Sequence, residues 1–159
     1  MKRLIIQRHG KAENKTALDS DRDLELEGEE QIKKVGDSMR SKKNIPEMIL
    51  FSPAIRALKT KDIIAESLEI SSKSIIVKLE PVIYDNDYRQ ILKLISDTDD
   101  GINTLMIIGH IPSLEEVLYF LIKENKPIGT GKQAVVDIEI ESWRAIENSS
   151  GKARLIDFY

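Results

Sequence analysis

The residues of this chain best suited to chemistry are its two histidines, His9 and His110, and two of its arginines, Arg8 and Arg56. Each histidine follows a short apolar run and lies beside a glycine, which lets the backbone come close to a ligand. A neutral imidazole can attack phosphorus in line while guanidinium groups neutralise the equatorial oxygens. One histidine alone would more simply be a solvated turn or core residue. Two in equivalent places favour phosphoryl transfer through a histidine nucleophile.

Arg56 lies in a local context that a bound anion would explain. Ser52 and Pro53 are typical of a helix N-cap and first helical residue, which places Arg56 in the first turn. A cation there opposes the helix dipole by roughly 0.3–1 kcal/mol. A bound phosphate would make the position of this cation favourable, because helix N-terminal amides and a guanidinium fork both bind phosphate. A surface arginine without a function is the alternative.

Strands that alternate with helices must position these residues. Four short apolar runs, at residues 4–6, 48–51, 74–77 and 104–108, predict parallel strands buried on both faces. Ligands of open α/β sheets bind outside the carboxyl ends of the strands, where the candidate residues lie. Helix-period apolar faces lie between and after the runs: Leu26, Ile32, Val35 and Met39; Ile55, Leu58, Ala65 and Leu68; Ile91, Leu92 and Ile95; Leu114, Val117, Leu118, Leu121 and Ile122.

The C-terminal part has a different pattern. Alternation in residues 134–140 and a turn at 148–151 before residues 153–158 predict an antiparallel hairpin at the end of the sheet. Ser113 and Glu116 are spaced as a capping box for the last helix. The predicted fold class is α/β, a three-layer α/β/α sandwich whose mostly parallel sheet has an antiparallel C-terminal edge. The length predicts a single domain over residues 1–159.

Composition excludes several classes of function. The chain has 24 Lys plus Arg and 27 Asp plus Glu, a net charge of −3, and no cysteine, so disulfides, thiolate chemistry and an ordinary zinc site are not expected. The cations are interspersed with acids, which predicts no nucleic-acid partner. No apolar run reaches the roughly 20 residues of a membrane span, and the N-terminus turns charged too early for a signal peptide. We expect a cytoplasmic monomer or weak dimer with no membrane partner.

Four segments resemble, in order, the motifs of one enzyme family. They are Arg8-His9-Gly10, Asp21-Arg22-Asp23-Leu24-x-x-x-Gly28, Ser52-Pro53-x-x-Arg56-Ala57 followed by Thr60, and Gly109-His110-x-Pro112-Ser113-Leu114-Glu115. Together they resemble the histidine phosphatase superfamily, formerly the phosphoglycerate mutase-like family. Length and spacing look most similar to its small SixA-type branch of phosphohistidine phosphatases. Asp23 stands where that branch usually has proline.

The resemblance implies a role for each matching residue. His9 would be the phosphorylated nucleophile, and Ser52 would be a further donor to the anion. Arg22 would either reach the substrate phosphate or form a salt bridge within the acidic segment 19–30. The resemblance implies no metal and no cofactor, and inorganic phosphate as the product. The rest of the phosphate pocket would comprise Arg8, Arg56 and His110.

A general acid is harder to assign. Larger members of the family protonate an alkoxide leaving group with a carboxylic acid after the third strand, where Glu80 and Asp85 are the candidates here. Asp85 is favoured because Ile83-Tyr84 before an acidic residue is similar to the SixA-type pattern, although residues 85–87 also suit a turn and helix N-cap. Imidazole leaves more easily than an alkoxide, so a phosphohistidine substrate relaxes the need for an acid. The expected partner is therefore a histidine phosphotransfer protein.

Other functions were weighed against this one. Residues 84–87 could form the aspartyl nucleophile motif of haloacid dehalogenase-type phosphatases, but the expected Thr is missing and both histidines would be idle. A calcium loop from Asp85 fails because Gln90 occupies its glycine position. A phosphomonoesterase for a small phosphorylated metabolite and a non-catalytic phosphate-binding module stay open. The short chain leaves few residues for a lid, which suits a protein substrate.

Overall fold

A six-stranded sheet forms the middle layer of the computed structural model, which describes residues 1–14, 18–69 and 75–159. The strands are β1 (Lys2–Arg8), β2 (Met48–Phe51), β3 (Ile76–Leu79), β4 (Thr104–Gly109), β5 (Gln133–Ile138) and β6 (Ala153–Phe158). Their order in the sheet is β3-β2-β4-β1-β5-β6. The first four are parallel to one another, and β5 is antiparallel to both β1 and β6. The predicted mostly parallel sheet with an antiparallel C-terminal edge is confirmed.

Helices cover both faces of the sheet because each has an apolar stripe to bury. They are α1 (Leu26–Lys42), α2 (Ile55–Ser67), α3 (Tyr88–Ser96) and α4 (Ser113–Ile122). On one face, Ile32 of α1 and Ile64 of α2 pack in the same core as Ile5 of β1. On the other face, Ile91 of α3 and Leu118 of α4 belong to the second core. The result is the predicted three-layer α/β/α sandwich.

The third strand differs from the prediction in its burial. β3 lies at the edge of the sheet and hydrogen-bonds to β2. Ile76 and Leu79 are each 48% exposed, so burial on both faces was wrong. An apolar run predicts a strand, but its place in the sheet decides how many neighbours cover it. Residue 74, with which the predicted run begins, lies outside the described residues.

Two helix faces also differ from the apolar pattern. Leu26 is the first residue of α1 and is 79% exposed, because it precedes the part of the helix that packs on the sheet. In α2 the buried residues include Ala57, Thr60 and Ile64, whereas Leu58 is only partly buried. The polar residue Thr60 occupies the middle of that buried face, so the apolar pattern alone predicted the wrong face of α2 to be buried.

Both predicted N-caps are replaced by other residues. The N-cap of α2 is Ala54, and the Ser52 hydroxyl accepts a hydrogen bond of 3.3 Å from the Ala54 N–H just ahead of the helix. The N-cap of α4 is Pro112, and Ser113 is the first helical residue. The Ser113 N–H donates to Asn86 Oδ1 at 3.0 Å. The predicted capping box is therefore wrong, because a side chain distant in sequence satisfies this helix end.

The C-terminal hairpin is present, with an insertion. β5 and β6 pair antiparallel as predicted. Between them lies a short 3-10 helix, Trp143–Asn148, that the alternation pattern did not predict. Trp143 is fully buried, and its indole N–H donates to the Ile102 carbonyl at 2.7 Å. Trp143 therefore anchors the connection between β5 and β6 against the segment that precedes β4.

Candidate active site

The carboxyl ends of three parallel strands bring the predicted residues to one edge of the sheet. His9 directly follows β1 and His110 directly follows β4, and the register places Arg8 opposite Gly109. The His9 N–H donates to the Gly109 carbonyl at 3.3 Å. Ser52 directly follows β2. The imidazole centroids of His9 and His110 are 5.2 Å apart, so sheet topology creates one site from residues distant in sequence.

Close backbone packing fixes the loop that follows β1. A Cβ on Gly28 would lie 2.1 Å from the Lys11 carbonyl oxygen, and a Cβ on Gly10 would lie 2.7 Å from the Gly28 carbonyl oxygen. The Gly10 N–H donates to Thr60 Oγ1 at 3.1 Å, and the Thr60 hydroxyl donates to the Arg56 carbonyl at 2.7 Å. Gly10 thus allows packing against α1, a different reason from the ligand approach that we predicted.

The hydrogen bonds of His9 determine its tautomer. Nδ1 lies 2.7 Å from the Gly10 carbonyl oxygen, which can only accept, so Nδ1 carries the proton. Nε2 is then unprotonated and accepts a hydrogen bond of 3.3 Å from Arg56 Nε. Burial lowers the pKa of His9 from 6.5 to about 4, with further lowering from the Arg56 and Arg8 charges, although the Gly10 hydrogen bond raises it. A neutral imidazole with an unprotonated Nε2 is the form that a nucleophile requires.

His110 is held as a neutral imidazole of the opposite tautomer. Its Nδ1 lies 3.3 Å from Arg56 Nη2, a group that can only donate, so Nδ1 accepts. Its Nε2 then donates to Ser52 Oγ at 2.7 Å. Burial lowers the pKa of His110 from 6.5 to about 3, with additional lowering by His9 and Arg56. The fully buried Ser52 therefore orients His110.

Arg8 has an unused donor. Its Nη1 donates to the Ile128 carbonyl at 3.0 Å. Its Nε is buried and has no hydrogen-bond partner within the part of the chain that the structure describes. Burial lowers the pKa of Arg8, since desolvation disfavours its charge. A buried donor without a partner is costly, and an anion would satisfy it.

Sequence reasoning missed Asp19 and Tyr84. Asp19 Oδ2 accepts hydrogen bonds from Arg56 Nη2 at 3.0 Å and from the Tyr84 hydroxyl at 2.7 Å. Its Oδ1 accepts from Arg22 Nη1 at 3.0 Å. The Tyr84 hydroxyl, followed by Arg22 and Arg56, holds the pKa of the Asp19 carboxyl well below its usual range. The one signal in the sequence was the i, i+3 spacing of Asp19 and Arg22. Of the two roles predicted for Arg22, the structure contains the salt bridge.

The two candidate acids lie apart from this cluster. No hydrogen bond among the described residues joins Glu80 or Asp85 to either histidine, and Asp85 is exposed. The side chain of Asp87 caps α3 by accepting from the Arg89 N–H at 2.9 Å. Asn86 donates to the Ile111 carbonyl at 2.8 Å, next to the second histidine. Residues 85–87 thus form the turn and N-cap that we weighed against catalysis.

Access to the imidazoles is narrower than the short chain suggested. His9 and His110 are each 6% exposed, and the 3-10 turn Asp19–Asp21 packs on α2 beside them. Within residues 1–14, 18–69 and 75–159, no three His, Cys, Asp or Glu side chains gather as a metal ion would require. No helix of the described residues is long and apolar enough to cross a membrane.

A family model matches the part of the chain that carries most of this site. The model of the histidine phosphatase superfamily (branch 1) matches residues 4–80, a range that contains Arg8, His9 and Arg56. Over these residues, just under half of its length, the chain is similar to the histidine phosphatase superfamily. The second imidazole, that of His110, lies beyond the matched range and reaches the site through the pairing of β4 with β1.

Solved SixA structures share the fold of this chain. A candidate phosphohistidine phosphatase SixA from Agrobacterium tumefaciens has a TM-score of 0.84 at 24% identity, covering 99% of this chain and 97% of that one. A protein histidine phosphatase SixA bound to tungstate has a TM-score of 0.82 at 22% identity, covering 98% and 95%. A candidate phosphohistidine phosphatase SixA from Nakamurella multipartitia has a TM-score of 0.85 at 19% identity, covering 99% of this chain and 95% of that one. No curated protein sequence matches the chain.

Proposed function

We propose that this protein is a histidine phosphatase that removes the phosphoryl group from phosphohistidine on a phosphotransfer protein, with His9 as the nucleophile. The observation that carries the proposal is the state of His9. The Gly10 carbonyl holds the proton on Nδ1, and the free Nε2 lies beside Arg56. The fold likeness to SixA proteins supports the assignment to phosphohistidine.

In the first step, the Nε2 lone pair of His9 forms a bond to phosphorus. The bond between phosphorus and the substrate nitrogen breaks, and its electron pair goes to the leaving imidazole. Arg8 and Arg56 neutralise the charge on the phosphoryl oxygens. Such electrostatic stabilisation is the largest contribution that a protein makes to phosphoryl transfer. With a proton on the other nitrogen of the substrate ring, the leaving group is a neutral imidazole, whose conjugate acid has a reference pKa of about 6.5, so no strong acid is needed. This removes the need for Glu80 or Asp85 to reach the leaving group.

In the second step, a water oxygen bonds to phosphorus and the bond to His9 Nε2 breaks. The electron pair returns to Nε2, the proton of the attacking water passes to solvent, and inorganic phosphate leaves. Because Nδ1 keeps its proton on the Gly10 carbonyl, His9 departs as a neutral imidazole rather than a poor anionic leaving group. A bound phosphate would favour a proton on His110, which turns its Nδ1 from an acceptor into a donor.

The two arginines supply the positive charge that a metal ion provides in other phosphoryl-transfer sites. We therefore propose that the reaction runs without metal. Ser52 contributes by orienting His110, since its hydroxyl accepts from the imidazole. Should the substrate be a phosphate ester instead, an acid is required, and Asp85 and Glu80 are the candidates that the sequence analysis offers for that role.

The test is turnover without added metal on two substrates, a phosphohistidine-bearing phosphotransfer domain and p-nitrophenyl phosphate. The variants are H9A, E80Q and D85N. We expect wild type to dephosphorylate phosphohistidine, H9A to lose that turnover while still binding inorganic phosphate, and the two carboxyl variants to match wild type. Circular dichroism confirms that each variant is folded.

Other results would redirect the proposal. Turnover of the ester alone, reduced in D85N or E80Q, would keep the nucleophile and replace the substrate by a small phosphorylated metabolite. Phosphate binding without turnover of either substrate would make the chain a phosphate-binding module. Phosphohistidine turnover that persists in H9A would refute the assigned nucleophile.

A further inference from the structure

The hydrogen bonds of Arg56 fall into two sets on different sides of its guanidinium. On one side, Nε and Nη2 lie 3.3 Å from His9 Nε2 and 3.3 Å from His110 Nδ1. On the other side, Nη1 donates to the Asp19 carbonyl oxygen at 2.9 Å and Nη2 donates to Asp19 Oδ2 at 3.0 Å. The inner side thus faces the nucleophile through long bonds, and the outer end is held by shorter ones.

Asp19 is itself held by two further groups. The Tyr84 hydroxyl donates to Oδ2 at 2.7 Å, and Arg22 Nη1 donates to Oδ1 at 3.0 Å. The Arg22 guanidinium is anchored in turn, because its Nε donates to the Glu13 carbonyl at 2.7 Å. Although the Asp19 side chain is 51% exposed, its two oxygens have three side-chain donors from separate segments. The carboxylate is therefore restrained at the outer end of Arg56.

This arrangement leaves the inner side of Arg56 for a phosphoryl group. The inner bonds end on neutral imidazole nitrogens, which are weaker acceptors than phosphoryl oxygens. A phosphoryl group on His9 Nε2 would take over the Nε and Nη2 donors on that side. The bonds to Asp19 use Nη1 and the other Nη2 hydrogen, so they persist when the group arrives.

We propose that Asp19 is a positioning residue that holds the outer end of Arg56 so that Nε and Nη2 face the phosphoryl group on His9. Tyr84 and Arg22 hold Asp19 in this place. Arg22 thus acts through Asp19 rather than on the phosphate. The inference rests on the proposed function, because it takes His9 Nε2 as the point of attack.

The test compares D19A and D19N with D21N, a matched loss of one carboxylate from the same 3-10 turn. In D19A we expect kcat on phosphohistidine to fall by about 10–100-fold, the usual effect of losing an outer-shell partner. KM should not rise with it, because the change also removes a negative charge near the phosphate. D19N should recover part of kcat, since its amide oxygen still accepts from Arg56. D21N should match wild type, and circular dichroism confirms that all three variants are folded at the assay temperature.

Two results would overturn the proposal. Tighter binding of inorganic phosphate by D19A with undiminished kcat would make Asp19 a competitor of the substrate. Equal kinetics of D19A and D21N would make it a bystander.

A double-mutant cycle of D19A and R56A on the dissociation constant of inorganic phosphate separates this proposal from the function. Positioning requires that R56A weaken phosphate binding less in the D19A background than in wild type. Coupling without turnover of any substrate would refute the function alone. Zero coupling refutes the positioning role whatever the activity.

Discussion

Mild acidification should destabilise this fold through its two buried histidines. Burial lowers the pKa of His9 to about 4 and that of His110 to about 3, against 6.5 in the unfolded chain. Between these values the unfolded chain takes up a proton at each histidine and the folded chain does not. The state that binds more protons is stabilised as the pH falls, and here that is the unfolded state. The contribution of the two histidines to the free energy of unfolding is therefore complete above their unfolded pKa and decreases below it.

The size of the effect follows from the two pKa values. Lowering the pH from about 7 to about 5 costs about 2 kcal/mol for each histidine, and about 4 kcal/mol for the pair, by proton linkage. Carboxyl groups add little in this window, because they titrate mainly below it and the pKa of Asp19 is lower still. The histidines therefore dominate the change.

Urea unfolding at the two pH values measures this free energy directly. We expect wild type to lose about 4 kcal/mol, and H9Q and H110Q each to lose about half as much, because glutamine is polar but does not titrate. The double variant should lose little. An unchanged free energy in wild type would refute the reasoning, and so would variants that keep the whole loss. Either result would mean that the folded histidines accept protons, and the neutral nucleophile would be wrong with it.

Three further substitutions test the packing around the site. G28A should lower the free energy of unfolding by about 1–3 kcal/mol in urea titrations, because the added Cβ would meet backbone atoms. G129A is the control, since its Cβ would lie in ordinary contact at 3.6 Å. Equal losses in the two variants would contradict the argument. S52A removes the acceptor of the His110 imidazole, so we expect about 1–3 kcal/mol of destabilisation and slower turnover, whereas unchanged kinetics would deny Ser52 an orienting role. W143A empties a fully buried site and should cost about 3–5 kcal/mol, which a thermal melt close to that of wild type would disprove.

The place of the candidate site could be predicted from the sequence because it depends on local order. His9, Ser52 and His110 each come within three residues of the end of an apolar run, and parallel strands present their carboxyl ends at the same edge. Knowing which residues end the strands was therefore enough to expect them together. Arg56 lies in the first turn of α2 as predicted, although the helix begins at Ile55 with Ala54 as its N-cap rather than at Pro53 with Ser52.

The pattern of a single segment was less informative where a partner distant in sequence determines the burial or hydrogen bonding of a residue. Thr60 is buried because it bonds to the loop after β1, and Ser113 donates to Asn86 instead of capping α4. β3 has the composition of a covered strand, yet it lies at the exposed edge of the sheet. Hydrophobic periodicity reports what a segment can bury, and the neighbours that bury it are chosen by the whole fold.

The chemistry that the sequence determined is therefore the inventory of nucleophile and cations and the sheet edge at which they meet. The tertiary structure decided their states. It set the tautomers through Gly10 and Ser52, and it brought in Asp19 and Tyr84, which lie 65 residues apart in the chain. The physical reason is that a proton's position and an arginine's orientation depend on which acceptors lie within about 3 Å. Such contacts arise only when separate segments of the chain pack together.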